Sequence, residues 1–225
     1  MPVRFCLEIS GDFACFTRPE MKVERVSYDI ITPSAVRAVF ESILWKPAIR
    51  WLPEKIEVLA PIRWTTIRRN EVGSKLSVAN VKSAMQRSSG KLALYVEEER
   101  QQRASLLLRD VRYRVTASFS LTTKAGVGDN SQKFAEMFVR RAEKGQCVNQ
   151  PYLGCREFAC DFRLVDPVVE PATIPTELSG ERNLGWMLYD LDFLDTVSPN
   201  PRFFQARMQD GVVRIPSWES EEVRG

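Results

Sequence analysis

The forty-one residues from Gly11 to Trp51, GDFACFTRPEMKVERVSYDIITPSAVRAVFESILWKPAIRW, restrict the possible folds more than any other part of the chain. A short apolar strand leads into a loop carrying Arg18, Lys22, Arg25 and Tyr28, and a bounded helix follows. Thr32 can cap that helix, Pro33 fits its first turn, and Pro47 lies just past its end. Ala35, Val36, Val39, Phe40 and Ile43 recur at helical spacing, which predicts a core-facing stripe. A basic loop beside a strand, with Lys46 at the helix end, makes a surface suited to an anionic ligand.

The remaining pattern predicts a βαββαβ order. Val3–Phe16 reads as a first strand with a bend at Gly11-Asp12, Lys55–Trp64 as a second, and Leu106–Leu121 as a long third strand with alternating apolar residues. A second helix is predicted from about Ser131 to Lys144, with capping oxygens in Asp129-Asn130-Ser131 and Gly145 past its end. Its apolar face is Ala135, Phe138, Val139 and Ala142, and Arg156–Val165 supplies a fourth strand. The expected fold class is therefore α+β: a ferredoxin-like, RRM-like domain over residues 1–166. Between its middle strands, residues 65–103 form a basic insertion expected to be extended and partly disordered. A Pro-rich linker opens residues 167–225, where Gly185–Leu194 and Phe203–Ile215 predict a small C-terminal antiparallel sheet turned at Asp210-Gly211.

Charge and residue usage exclude several functional classes. Net charge is only +3, yet residues 61–91 carry seven cations against the single anion Glu71. Such asymmetry suits an anionic polymer, although a solvated loop would carry the same charges. Histidine is absent, which excludes histidine-based triads and Cys/His zinc sites. Asp190, Asp192 and Asp195 are the remaining metal candidates, but alternation puts Asp190 and Asp192 on one exposed strand face, and no metal or other cofactor is assigned. Five cysteines without a C-x-x-C pair, no membrane-length apolar run and no secretory pattern lead to the expectation of a reduced, cytoplasmic protein without a membrane partner.

Five blocks in order, GDFACFTRPEMKVERVSYDIITPSAVR, ESILWKPAIRW, IRRNEVGSK, RQQRASLLLRDVRY and QPYLGCREF, resemble the type I-C CRISPR-associated Cas-five family of the RAMP superfamily. The likeness runs from about residue 8 to the terminal EEVRG and is densest before residue 165. The resemblance implies a ferredoxin-like domain followed by a C-terminal antiparallel sheet. It also implies a subunit of the Cascade complex that holds the 5′ handle of CRISPR RNA beside the backbone and large subunits, with target DNA as a further contact within the complex. Metal-independent cutting of precursor RNA at the base of the repeat hairpin is the implied reaction. The alternative is a structural, RNA-holding subunit whose nuclease site has been lost, and a generic RNA-binding module outside CRISPR is a third reading.

That reaction needs a base at the ribose 2′-hydroxyl, a cation at the developing phosphorane and an acid at the leaving 5′-oxygen. By resemblance, a Tyr or His is expected just before Trp-Lys-Pro and a Lys-His pair early in the second helix. Leu44 and Phe134 stand at two of those places, so Lys133 alone is carried over as catalytic. Tyr28 is a candidate to move into the site. RNA contacts are expected from Arg18, Lys22, Arg25, Tyr28, Lys46, Arg50, Arg68, Arg69, Lys75, Arg141 and Arg156. Trp45 is expected to pack into the core rather than stack on a base, and Gly154 either brings backbone close to RNA or makes a plain turn. Glu219, Glu221 and Glu222 are expected in a solvated tail.

Overall fold

The computed structural model describes residues 3–89, 92–195 and 197–225. Strand β1 (Arg4–Ala14) places Phe5, Leu7 and Ile9 in the apolar core, and alternation turns Glu8 to the opposite face. Helix α1 (Pro33–Ile43) begins as its sequence dictates: Thr32 Oγ1 accepts from the Ala35 amide at 3.4 Å, and Pro33 occupies the first turn. Strand β2 (Ile49–Val58) follows the Pro47 stop, and β3 (Arg63–Val72) follows Pro61. The second strand expected at Lys55–Trp64 is thus two strands with a break between them. Pro53 disguised the first of them; it sits at a register shift, where a missing amide proton is tolerated.

Strand β4 (Arg100–Leu121) is 22 residues long and starts six residues before its predicted beginning. Its first half pairs with β3, from Arg63 opposite Arg109 to Val72 opposite Arg100. The 65–103 insertion is therefore a two-stranded ribbon rather than a structureless excursion. It carries helix α2 (Val78–Arg87), none of whose residues is buried. Lys91, counted among the basic residues of this region, lies outside the described residues.

Helix α3 (Ser131–Glu143) starts at Asn130, whose Oδ1 accepts from the Lys133 amide at 2.8 Å. Strand β5 is shorter than predicted, Asp161–Val165, because residues 151–160 form a loop closed by the bridge between Tyr152 and Ala159. Then come β6 (Glu181–Asp192), β7 (Asn200–Gln209), β8 (Val212–Arg214) and β9 (Val223–Arg224).

The described strands form one mostly antiparallel sheet in the order β5-β1-β4-β2-β8-β7-β6, with β3 on β4 and β9 on β7. Because β8 hydrogen-bonds to β2, the C-terminal strands continue the main sheet. The expected acidic tail is held down by Val223, which pairs with Phe204, while Glu219, Glu221 and Glu222 remain exposed. Asp190, expected on an exposed face, instead receives Arg37 of α1 at 2.5 and 3.0 Å, since a register shift beside it breaks the simple alternation.

Six aromatic rings bind α1 and α3 to the sheet: Phe5, Phe40, Trp51, Phe119, Phe134 and Phe138. Trp51 lies 4.9 Å from Phe40, 4.8 Å from Phe138 and 5.3 Å from Phe119, and its Nε1 donates to the Leu44 carbonyl at 2.8 Å. Such ring pairs add about 0.5–1.5 kcal/mol each beyond burial, and the indole donor is satisfied. This cluster fixes the end of α1 relative to the start of α3.

Candidate nucleic-acid interface

Two helix ends and a strand end meet at one corner of the molecule. The last carbonyls of α1 are satisfied from outside: Arg141 of α3 donates to Ile43 O at 2.9 Å, and the Val148 amide to Ser42 O at 2.7 Å. Arg141 was expected on RNA; its half-buried guanidinium instead fastens α3 to the end of α1. The loop Leu44–Ala48 is clamped from just past β4, where Thr122 Oγ1 donates to Pro47 O at 2.6 Å and the Thr122 amide to Ala48 O at 2.9 Å. Lys46, Lys124 and Lys133 are all exposed around this corner.

Lys133 Nζ donates to Asp129 Oδ1 at 2.9 Å and lies 5.7 Å from the Phe134 ring centre. The Asp129 carboxyl is held below the usual carboxylate range by the Gly126 amide, by Lys133 and by the nearby charge of Lys46. Lys46 and Lys133 thus both act on one half-buried acid at the start of a helix, where unsatisfied amides also favour anions.

The two side chains standing in place of the expected catalytic groups are core residues. Leu44 is 0% exposed and Phe134 is 3% exposed, with Phe134 packed against Phe119. Neither has a proton to exchange. Tyr28 does not reach the corner: it is 1% exposed, its hydroxyl accepts from the Leu188 amide at 3.2 Å, and burial pushes its pKa up. Its expected RNA contact is replaced by a supporting role, because Arg18 stacks on it at 4.5 Å and also bonds Asp29 at 3.2 Å.

A second cationic region lies at the root of the ribbon. Arg25 reaches Glu71 at 3.6 Å and Glu157 at 3.9 Å, Arg103 reaches Glu71 at 3.6 Å, and Arg69 is bonded to Glu157 and lies 3.8 Å from Glu71. Burial and the arginines perturb the cysteines beneath: a hydrogen bond from Cys155 is the main cause lowering the Cys15 pKa, with Arg25 and Arg69 adding to it. Gly154, at φ +84°, crosses Cys15 so closely that a Cβ would stand 2.0 Å from its carbonyl oxygen. This glycine therefore serves chain crossing, and Arg156 beside it is exposed. Lys22, Arg68 and Lys75 are likewise exposed on the loop and ribbon. Arg50 stacks on Trp218 at 4.9 Å, next to the C-terminal strands.

A cleft of about 1050 Å³ lies elsewhere, between the start of β1 and residues Val165–Pro167. A polyanion suits an open cationic surface, which the corner and the ribbon root both present.

Residues 5–216 match the family described as CRISPR-associated protein (Cas_Cas5), in its Cas5d form. The chain belongs to the Cas5d family. Over 228 residues, covering 100% of both chains, it is 50% identical to the CRISPR pre-crRNA endoribonuclease Cas5d of Mannheimia succiniciproducens. A second Cas5d protein of that description, from Thermus thermophilus, is 37% identical over 98% of this chain and 94% of its own. A crystal structure of a CRISPR-associated protein has the same fold, with a TM-score of 0.70 at 18% identity over 100% of both chains. In this chain Lys133 is exposed, whereas Leu44 and Phe134 are buried.

Proposed function

We propose that this chain is the CRISPR RNA-binding subunit of a type I-C Cascade complex, acting in the cytoplasm beside the backbone and large subunits and, in the assembled complex, near target DNA. It holds the repeat-derived 5′ handle and cuts precursor RNA at the base of the repeat hairpin. The observation that carries this reading is the corner itself. Lys133 stands exposed at the start of α3 with Lys46 beside the same acid, on a chain 50% identical throughout to a pre-crRNA endoribonuclease. The antiparallel order β5-β1-β4-β2, with α1 and α3 packed through one aromatic cluster, supports a ferredoxin-like unit over residues 1–166. Residues 65–103 are its inserted ribbon, and residues 167–225 add C-terminal antiparallel strands that continue its sheet.

In the proposed reaction the nucleophile is the RNA's own 2′-hydroxyl, so the protein's task is to position the scissile phosphate and stabilise its charge. Lys133 Nζ and the first amides of α3 supply that charge stabilisation, while Asp129 holds the lysine over the helix start. Arg18, Lys22, Arg25, Lys46, Arg50, Arg68, Arg69, Lys75 and Arg156 contact the RNA backbone. The burial of Leu44 and Phe134 supports a second reading, in which the subunit holds RNA without cutting it.

Incubating the protein with precursor RNA in EDTA separates the two. A single cut at the hairpin base, slowed about 10²–10³-fold in Lys133→Ala, is expected; intact RNA after prolonged incubation with tight binding retained would establish the holding role instead.

A further inference from the structure

Trp45 was expected in the core, but it is 58% exposed, whereas Trp51, six residues on, is 1% exposed. Exposing an indole forgoes the burial that large aromatic side chains ordinarily contribute to folding, so its position asks for a partner outside the chain. The loop that presents it is rigid. The Leu44 amide donates to Phe40 O at 3.0 Å, Trp51 Nε1 to Leu44 O at 2.8 Å, and the Ile49 amide to Lys46 O at 3.1 Å, in addition to the Thr122 clamp. The backbone that carries the exposed ring is therefore held on both sides of it. It adjoins Lys46, whose charge reaches the same Asp129 that bonds Lys133.

We propose that Trp45 is a stacking platform for a single unpaired nucleobase, the one flanking the phosphate that Lys46 and Lys133 engage. This rests on the reading of the corner as an RNA site and adds to it the contact that sets the register. A flat π-surface takes any base, while the lysines on one side fix which phosphate lies beside it. Those cations favour nucleic acid over an apolar protein partner for the ring. The geometry follows from the clamp: the loop has little freedom to lose when the base arrives, so the stacking contact is not offset by ordering the chain.

The test uses the full chain, with repeat RNA, an unrelated hairpin and oligoadenylate as probes in fluorescence anisotropy. Trp45→Ala is expected to weaken both repeat RNA and oligoadenylate about ten- to a hundredfold, with thermal stability unchanged, and Trp45→Phe to recover most of the loss. Repeat RNA carrying an abasic site beside the cut should bind wild type and Trp45→Ala equally, since the missing base and the missing ring are one interaction. Equal binding of intact repeat RNA and oligoadenylate by wild type and Trp45→Ala would overturn the proposal. Loss of co-assembly with the other Cascade subunits, with RNA binding intact, would overturn it too and assign the ring to a protein contact. Failure of wild type to prefer repeat RNA would sink the functional reading alone, because the oligoadenylate comparison still tests stacking.

Discussion

The lysine corner and the arginine root of the ribbon hold similar numbers of cations, but they differ in how far those charges are already neutralised. At the corner, Lys46 and Lys133 share Asp129, an acid on the surface. At the root, Arg25, Arg69 and Arg103 are interleaved with Glu71 and Glu157 across three chain segments. The first arrangement leaves charge available to a ligand. The second uses it to hold the loop, the ribbon and the 151–160 segment in register, leaving a smaller net field outside. Counting basic residues along the chain cannot separate these cases, because the acids that differ, Glu71 and Glu157, are far apart in sequence.

The sharpest way to break this comparison is at Lys133. Lys133→Ala should lower the rate of precursor cleavage about 10²–10³-fold, as removal of one charge-stabilising donor does elsewhere. RNA affinity should change by less than about tenfold, since one phosphate contact among several is lost. Single-turnover cleavage and anisotropy measure the two; an equal loss in both would make Lys133 a binding residue only.

Glu71→Gln tests the root as a fastening. Arg25 and Arg69 would then share Glu157 while Arg103 loses its carboxylate, and unfolding in urea should show a loss of about 1–2 kcal/mol, between the exposed and buried limits for ion pairs. The equivalent change at the corner, Asp129→Asn, should leave urea stability unchanged. A large loss there would show that the corner is structural after all.

Glu157→Gln is expected to act in the opposite sense on binding. Removing a surface-lying acid from Arg69 and Arg25 should raise affinity for repeat RNA about three- to tenfold at low salt, with the gain disappearing as salt screens the site. A salt titration reads both parts.

The smallest effect is with pH. The Glu157 carboxyl is lowered chiefly by its own backbone amide and then by Arg69, and Asp129 is lowered by the Gly126 amide and Lys133. A carboxyl with a depressed folded pKa stabilises the fold above its unfolded value, near pH 4. That contribution is lost only as pH falls through the lower folded value. Neither carboxyl should change charge between pH 5 and 8, and NMR titration of the two should find both midpoints below the ordinary range; a midpoint above 5 for either would contradict the geometry.

Much of the fold was legible because local rules decide it. Thr32, Pro33 and Pro47 bound α1, and Asn130 starts α3, by chemistry contained within a few residues. The ribbon was missed because its strands are paired on polar, half-exposed surface, where apolar alternation is weak. Strand β2 was displaced because Pro53 reads as a breaker until a bulge accommodates it. At the site, Lys133 stood out in the sequence, whereas the fates of Tyr28, Arg141 and Trp45 did not. Tyr28 is claimed by Leu188 and Arg141 by Ile43, partners at sequence separations of 160 and 98 residues.

By itself the sequence determined the family, the two core helices and the absence of histidine chemistry. Those properties reside in residue order and residue type. Which cations remain open to a ligand, and which tryptophan of the Trp45–Trp51 segment faces solvent, was decided only in the tertiary structure. Availability depends on the acids, carbonyls and rings that folding brings alongside, and six residues of separation sufficed to send one indole into a six-ring core and the other outward.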